Sequence, residues 1–457
     1  MALQRLSRRL FIGNALALIL PLPARAEPGV AADGYVTLEA REGRLRLLPE
    51  PSAEMAVWGY NGEVPGPLLR YKRGEEMRVR LVNRLTQPTS LNWHGVRIDN
   101  AMDGVAGLTQ EPVEPGGSFD YRFTPPDSGF FWYRPQVLPY AREQQGRGLF
   151  GPLIIDEEAP PETDGDMLFI LADWSLDDKG KIAAFASSDG DRLGELITAN
   201  ASSTPQEKTL PPSARVRLRV LNAADTRLMV LRFDGLTPLI LAVDGQACEA
   251  FEPVRRTIPV GPGARFDVML DLPVDSEEEA GIILLGTDEP DRPLLKLHTA
   301  GQRRPLRPPI SSLPENPLLP GKIKLEAAHR ASVVIEAAAT PPLGPIEDSS
   351  TAWRLNGIAR TGFPAAPLFS VKRGTPVAIT IVNRTAALQE MRVHGHVIRL
   401  LHDLDDGWDP YWRDSVLLSP GKTKHIAFVA SNPGKWALES AIAGRQALGL
   451  ATWFEIT

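Results

Sequence analysis

The sequence predicts an all-β protein made of three Greek-key β-sandwich domains. Three observations carry that expectation. A block returns 300 residues later in unchanged phase: Lys72-Arg73-Gly74, Val82-Asn83-Arg84 and His94-Gly95, then Lys372-Arg373-Gly374, Val382-Asn383-Arg384 and His394-Gly395. A weaker third copy, Ala214 to Ala224, keeps the strand but carries no His-Gly. The 42 prolines and 39 glycines are spread along the chain, which favours short strands joined by turns over long helices. At 457 residues the chain suits about three domains of ~100–150 residues each.

The elements follow in order. Residues 34–158 form the first module, with strands expected at 77–83 (MRVRLVN), 118–123 (SFDYRF) and 151–157 (GPLIIDE). Residues 159–166 (APPETDGD) read as a linker. The second module, 167–300, has strands at 216–222, 237–243 and 265–272, and an acidic solvated loop at 275–279 (DSEEE). A linker at 301–321 follows, and its Pro-rich core (303–320) suits neither strand nor helix. The third module, 322–457, has strands at 377–383, 414–421, 424–430 and 451–457. Each module is the size of a Greek-key sandwich.

The N-terminus reads as an export signal. Ser7-Arg8-Arg9-Leu10-Phe11 resembles a twin-arginine motif, the apolar run Leu10 to Leu22 follows, and Ala24-Arg25-Ala26 offers small residues for cleavage. The run is shorter than the ~20 apolar residues of a comfortable membrane span. The expectation is a signal peptide at 1–26, a periplasmic protein and no transmembrane segment after cleavage. The formal charge is −6, and cleavage would remove four further arginines, so no basic nucleic-acid footprint is present. Cys248 is alone, cannot form an internal disulfide, and reads as a small buried apolar residue. Nucleophile-elbow, P-loop, zinc-peptidase and dinucleotide motifs are missing from the sequence.

Several long motifs in order now carry a resemblance. NGEVPGPLLRYKRG (61–74), LNWHGV (91–96), DGVAGLTQEPVEPGGSF (103–119), GFFWYR (129–134), VGPGARFDVMLDL (260–272), WRDSVLLSPG (412–421) and NPGKWALESAIAGRQALGL (432–450) resemble the multicopper oxidases. That resemblance implies three cupredoxin-like domains. It also implies a type 1 copper and a trinuclear cluster, held by one cysteine and ten histidines whose softness suits copper.

The ligand places in this sequence hold other residues. His-x-His-Gly reads Asn92-Trp93-His94-Gly95, and Trp-Tyr-His-x-His reads Trp132-Tyr133-Arg134-Pro135-Gln136. His-Pro-x-His-x-His-Gly reads Gln389-Glu390-Met391-Arg392-Val393-His394-Gly395. The last motif reads Glu439-Ser440-Ala441 with Arg445 at its fourth place, and Leu450 stands at the axial place. His94 and His394 are the vestigial ligand positions. The nine replaced positions are Asn92, Arg134, Gln136, Gln389, Arg392, Glu439, Ser440, Ala441 and Arg445. Arginines at such places repel a cation.

The expectation is therefore no catalytic residue, no cofactor and no bound metal. The chain would be a non-catalytic binding or structural protein, similar to the exported cell-division members of that superfamily, with periplasmic proteins (the division machinery among them) as partners. Arg134, Arg392 and Glu439 are expected to pair as a charge-compensated core; an anion pocket is the rival. The alternative function is a metal-dependent oxidoreductase with a reduced copper site at His94 and His394, joined by His396. His402, Asp403, Asp405 and Asp406 read as a solvated acidic turn. Trp408, Tyr411 and Trp412 are candidate contact aromatics, with core packing as the simpler reading. His298, His329 and His425 have no partner legible in the sequence.

Overall fold

Among the described residues the strand signals convert into six sheets, two for each module. The computed structural model describes residues 31–185, 191–287, 289–337, 353–403 and 407–457. The export segment with Arg8 and Arg9, and Asp405 and Asp406, lie outside the described residues. Among the described residues no helix is long and apolar enough to cross a membrane.

All three modules repeat one topology, including the module whose sequence copy is weak. In each, the strand of the repeated block lies parallel to the module's first strand: Val36–Leu45 with Met77–Asn83, Gly165–Trp174 with Arg215–Asn222, and His329–Ala337 with Pro376–Asn383. In each, the opposite sheet carries a second parallel pair: Leu69–Lys72 with Gly151–Asp156, Gln206–Leu210 with Arg292–Thr299, and Ser370–Val371 with Ala451–Ile456. The other strand pairs are antiparallel. This is the cupredoxin-like sandwich three times over.

The asparagine at the end of each repeated strand explains why the block persists. Asn83 Nδ2 donates to the carbonyls of Gln87 and Val113, each at 2.8 Å, and its Oδ1 accepts from Leu85 N. Asn222 does the same with Arg227, Val260 and Ala224, and Asn383 with Ala387, Leu418 and Thr385. All three side chains are buried, so each clamps a strand end onto its neighbouring loop through hydrogen bonds to backbone groups. The glycine of His-Gly has a separate cause. Gly95 takes φ 89° and Gly395 φ 65°. A Cβ at Gly95 would lie 2.2 Å from Arg265 Nη2, and one at Gly395 2.4 Å from the Trp436 ring.

Alternation along Met77–Asn83 buries one face and half-exposes the other, as its sequence pattern predicts. Arg215–Asn222 has the same alternation but is buried throughout. Its arginines do not face solvent. Arg217 binds Asp267 at 2.6 Å and Glu157 at 2.5 Å, and Arg219 binds Asp166 at 2.7 Å. Strand Gly165–Trp174 begins inside the segment expected to be a linker, because Gly165 already pairs with Val216. The Pro-rich run forms neither helix nor strand, yet it is pinned to the body. Arg307 binds Asp164 at 3.0 Å, Asn316 bonds Asp127 and Gln246, and Leu313 is buried. Residues 275–279 are exposed, as expected of an acidic loop, although Glu279 opens a strand.

Candidate functional site

The eleven ligand-place residues gather in two clusters, and every one is buried. Strand register brings the first set together. Asn92 lies opposite Arg134 on paired strands Asn92–His94 and Gly129–Arg134, and Arg392 lies opposite Glu439 on Gln389–Val393 and Gly434–Ser440. Asn432, Asn100 and their backbone partners hold the first and third modules together beside this junction. Asn432 Nδ2 donates to Ile98 O at 2.7 Å, and Asn100 Nδ2 donates to Lys435 O at 2.6 Å.

His394 is the centre of the junction. Its Nδ1 lies 2.9 Å from Asp103 Oδ2 and its Nε2 lies 2.8 Å from Glu439 Oε1. Carboxylates only accept, so both ring nitrogens donate and the ring is an imidazolium. Burial and Arg392 push its pKa down, but Asp103 and Glu439 outweigh them and hold it above the usual histidine range. Gln136 Nε2 donates to both Glu439 oxygens at 2.9 and 3.1 Å, and Gln446 Nε2 adds a third bond at 3.1 Å.

The arginines do not pair with Glu439 as the sequence led us to expect. Arg392 Nη1 donates to Asn92 Oδ1 at 2.9 Å, and Asn92 Nδ2 donates to Asp103 O at 2.6 Å. Arg134 Nη1 donates to Gln145 Oε1 at 3.1 Å, and its Nε points at His94 Nδ1 at 3.4 Å. Among the described residues neither guanidinium makes a direct ion pair. Although register sets Arg392 opposite Glu439, the pairing partner of Glu439 is His394, two residues further along, while the Arg392 guanidinium turns to Asn92 of the first module. Burial, then Arg392, lowers Arg134 to about 10, and burial lowers Arg392 as well.

Among the described residues no hydrogen bond or ring stacking joins His94 to His394, and each bonds its own partners. Burial and Arg392 hold His94 well below the usual range, against the pull of Asp414, so the ring is neutral. Its Nδ1 accepts from Arg134, its Nε2 stands 3.8 Å from Asp414 Oδ1, and its ring packs on Trp132 at 5.0 Å. His396 is also neutral, pushed down to about 4 by burial. Its Nδ1 bonds His394 O at 3.1 Å and its Nε2 accepts from Asn432 N at 3.3 Å.

A second buried network, not singled out in the sequence, joins all three modules. Arg265 of the second donates to Asp414 Oδ2 of the third at 2.6 Å, and its Nε approaches Phe130 O of the first at 3.5 Å. Asp244 accepts from the backbone N–H groups of Arg265 and Asp414. Despite its own burial, Asp414 is held far below the usual carboxylate range by Arg265 and His94. Glu390 lies nearby, bonded by Ser415 Oγ at 2.8 Å and pushed up to about 8 by burial. Asp103, Arg265, Asp414 and Gln446 were signalled only by lying within motifs of the resemblance, and Gln145 lies in none of them.

The cluster of Gln389, Ser440, Arg445 and Leu450 is separate. Arg445 fills it: Nε donates to Asp191 at 2.8 Å, Nη1 donates to Gln389 Oε1 at 2.7 Å, and the guanidinium lies 4.8 Å over Trp353. Ser440 Oγ accepts from Ile442 N at 3.2 Å, Ala441 N donates to Glu390 O at 2.8 Å, and Leu450 is core. Among the described residues no group of three or more His, Cys, Asp or Glu is disposed to hold a metal ion.

Known proteins share this architecture. Family profiles described as multicopper oxidase match residues 44–160 and 339–457, together more than half of the chain. The chain belongs to the multicopper oxidase family. It is 26% identical to the multicopper oxidase MmcO of Mycobacterium tuberculosis, covering 98% of this chain and 96% of that protein. Among solved structures it is similar to a multi-copper oxidase from Pseudomonas thermotolerans (TM-score 0.78, 28% identity, 92% and 98% of the two chains). It is likewise similar to Lac15 from a marine microbial metagenome (TM-score 0.74, 30% identity, 92% and 99%).

The remaining candidates of this multicopper oxidase chain have ordinary surroundings. Trp412 is buried, Tyr411 stacks on Phe251 at 5.8 Å and Trp408 is half-buried, so none is an exposed contact aromatic. Asp403 pairs with Lys424. His298 lies 3.6 Å from Glu279, His425 lies 3.1 Å from Thr380 Oγ1, and His329 packs on Phe369. Cys248 is buried and free, its thiol pushed up to about 12 by burial, which leaves it inert.

Proposed function

We propose that this chain is a non-catalytic member of the multicopper oxidase family, in which the copper places have become a structural junction. The observation that carries this reading is the bonding of His394, whose two ring nitrogens both donate to carboxylates. A protonated imidazole has no lone pair for a metal. The rest of the donor set does not fit copper either. His94 offers Nδ1 to an arginine, His396 uses both nitrogens on backbone, Ser440 supplies no thiolate, and Arg134, Arg392 and Arg445 bring fixed positive charge.

The proposed role is periplasmic, following twin-arginine export, and rests on protein contacts in division or envelope upkeep. In that it is similar to the cell-division protein FtsP (SufI). Family membership by itself does not set activity; the site does.

The second reading, an oxidoreductase with a reduced copper site at His94 and His394, is favoured by the names of the relatives, which are oxidases and laccases. Anaerobic copper reconstitution of the purified chain tests both. The proposal expects no blue absorption and no oxygen-dependent oxidation of a phenol. Stoichiometric uptake with turnover would defeat it. Replacing Arg8 and Arg9 by lysine tests the export route, with loss of periplasmic protein expected.

A further inference from the structure

A cleft at the entry to the third module shares no residue with the copper places. The Pro-rich linker ends at Pro320, and Lys322 to Glu326 carry the chain into the module. On the other side of the cleft, the turn after strand Arg399–Leu400 folds back: Leu401 bridges to Trp408, and Ile398 bridges to Arg413. That return sets Trp408 and Trp412 beside Arg399, and a space of about 290 Å³ remains between the two stretches. It sits just under the ~300–1,000 Å³ of drug-sized sites, so it suits a smaller molecule.

Arg399 is the group that fixes the ligand's chemistry. Its guanidinium lies 4.8 Å over the Trp412 ring, and its Nη1 donates to Asp409 O at 2.8 Å. A guanidinium has about five N–H donors, and only this one is spent among the described residues. The whole Nε–Nη2 edge is therefore unspent. Burial lowers the pKa of Arg399, and Glu315 and Asp409 oppose that without pairing with it. The Asp409 carboxylate is taken by Arg413 at 3.1 Å. Exposed Lys322 and Glu326 also line the cleft, and the other walls are apolar, with Ile323 and Leu325 facing the two tryptophans.

We propose that this cleft binds a small apolar α-amino acid, with its carboxylate on the Nε–Nη2 edge of Arg399, its ammonium at Glu326 and its side chain against Trp408, Ile323 and Leu325. The two-pronged edge of a guanidinium is the match for a carboxylate. The acids decide against a plain anion. Arg399, Lys322 and Arg413 stand against Glu315, Glu326 and Asp409, so the described charges that line the cleft or bear on Arg399 balance. A zwitterion keeps that balance and still fills the edge of Arg399. The apolar walls then favour an aliphatic or aromatic side chain over a polar one. Because no ligand-place residue takes part, the site is independent of whether the chain binds copper.

The test is calorimetric titration of the purified chain with phenylalanine, phenylalaninol and N-acetylphenylalanine. One saturable site for phenylalanine is expected. Phenylalaninol lacks the carboxylate and should bind about tenfold more weakly, the loss expected of a charge-assisted hydrogen bond. N-acetylphenylalanine stands for the C-terminus of a peptide and should also bind more weakly, because it has no ammonium for Glu326. Equal or tighter binding of it would give the cleft to peptide ends and overturn the free amino acid. Arg399→Gln should reproduce the loss seen with phenylalaninol. That variant also removes the stack on Trp412, so crystals of the unaltered chain with 4-bromophenylalanine decide the place. A bromine anomalous peak among Trp408, Ile323 and Leu325 is expected. No saturable heat with any of the three compounds, equal binding of phenylalaninol, or bromine elsewhere would overturn the site.

Discussion

His394 Nε2 donates to Glu439 Oε1 over 2.8 Å, with both side chains shut off from solvent. This bond occupies a place where the family resemblance implies two copper ligands. It turns a metal-facing position into half of a buried ion pair. The consequences are measurable in stability rather than turnover.

Glu439→Gln tests the pair directly. It keeps the volume but leaves the imidazolium with Asp103 alone. Breaking a buried pair from one side costs ~3–5 kcal/mol, whereas an exposed pair is worth ~0–1 kcal/mol. Urea unfolding at pH 7 should therefore show a large loss for Glu439→Gln and almost none for Glu39→Gln, which removes the exposed partner of Arg84. Equal small effects would remove the pair from any structural role.

Stability should fall on the alkaline side of neutrality. The raised pKa of His394 means that its contribution is complete below the unfolded value of ~6.5 and fades as pH climbs through the folded value. Glu390 acts in the same direction. Its carboxyl titrates near 8 in the fold, so between its unfolded value and 8 the unfolded chain binds fewer protons. That costs up to about 1.4 kcal/mol per pH unit. Glu390→Gln should flatten the profile of unfolding midpoints between pH 5 and 8; an unchanged slope would exclude the residue as its source.

Asp414 should matter at the other extreme. Its depressed pKa makes its contribution complete above the usual carboxylate range, and lost only as pH falls through the lower folded value. Asp414→Asn leaves Arg265 short of its closest partner at the contact of three modules. The expected loss is ~3–5 kcal/mol, with the second and third modules unfolding in separate steps. A single transition of unaltered midpoint would contradict this.

The three clamp asparagines provide a test of the repeat. Asn83→Ala and Asn222→Ala each remove bonds to two backbone carbonyls and one N–H, and Asn383→Ala removes at least these. At about 1 kcal/mol per bond the loss is ~3 kcal/mol in each case. Similar losses at all three sites are predicted from denaturation midpoints. A silent Asn222→Ala would mean that the weak copy keeps the strand but not the clamp.

The fold was legible because its signals are local. Alternation in Met77–Asn83, the turn residues and the Val-Asn-Arg block are all read along one strand. Identities at the ligand places were legible for the same reason, through motifs of fixed spacing. Partners were not. Whether Glu439 meets Arg392 or His394 depends on which of two side chains two residues apart turns to the carboxylate and which turns to the first module, and register alone pairs Glu439 with Arg392. The burial of Arg215, Arg217 and Arg219 was not legible, because alternation reports a change of face, not what covers it. Arg265 and Asp414 stand in motifs that the resemblance uses, yet their meeting depends on how modules pack, which no stretch of sequence records.

The most direct measurement is the metal content of the chain purified from the periplasm of cells grown with added copper. The account predicts less than about a tenth of an equivalent of any transition metal and no blue absorption, since the donors for such a site are already committed to protein groups. A stoichiometric metal that disappears in His94→Ala or His394→Ala would contradict it, and would return the chain to the enzymes of its family.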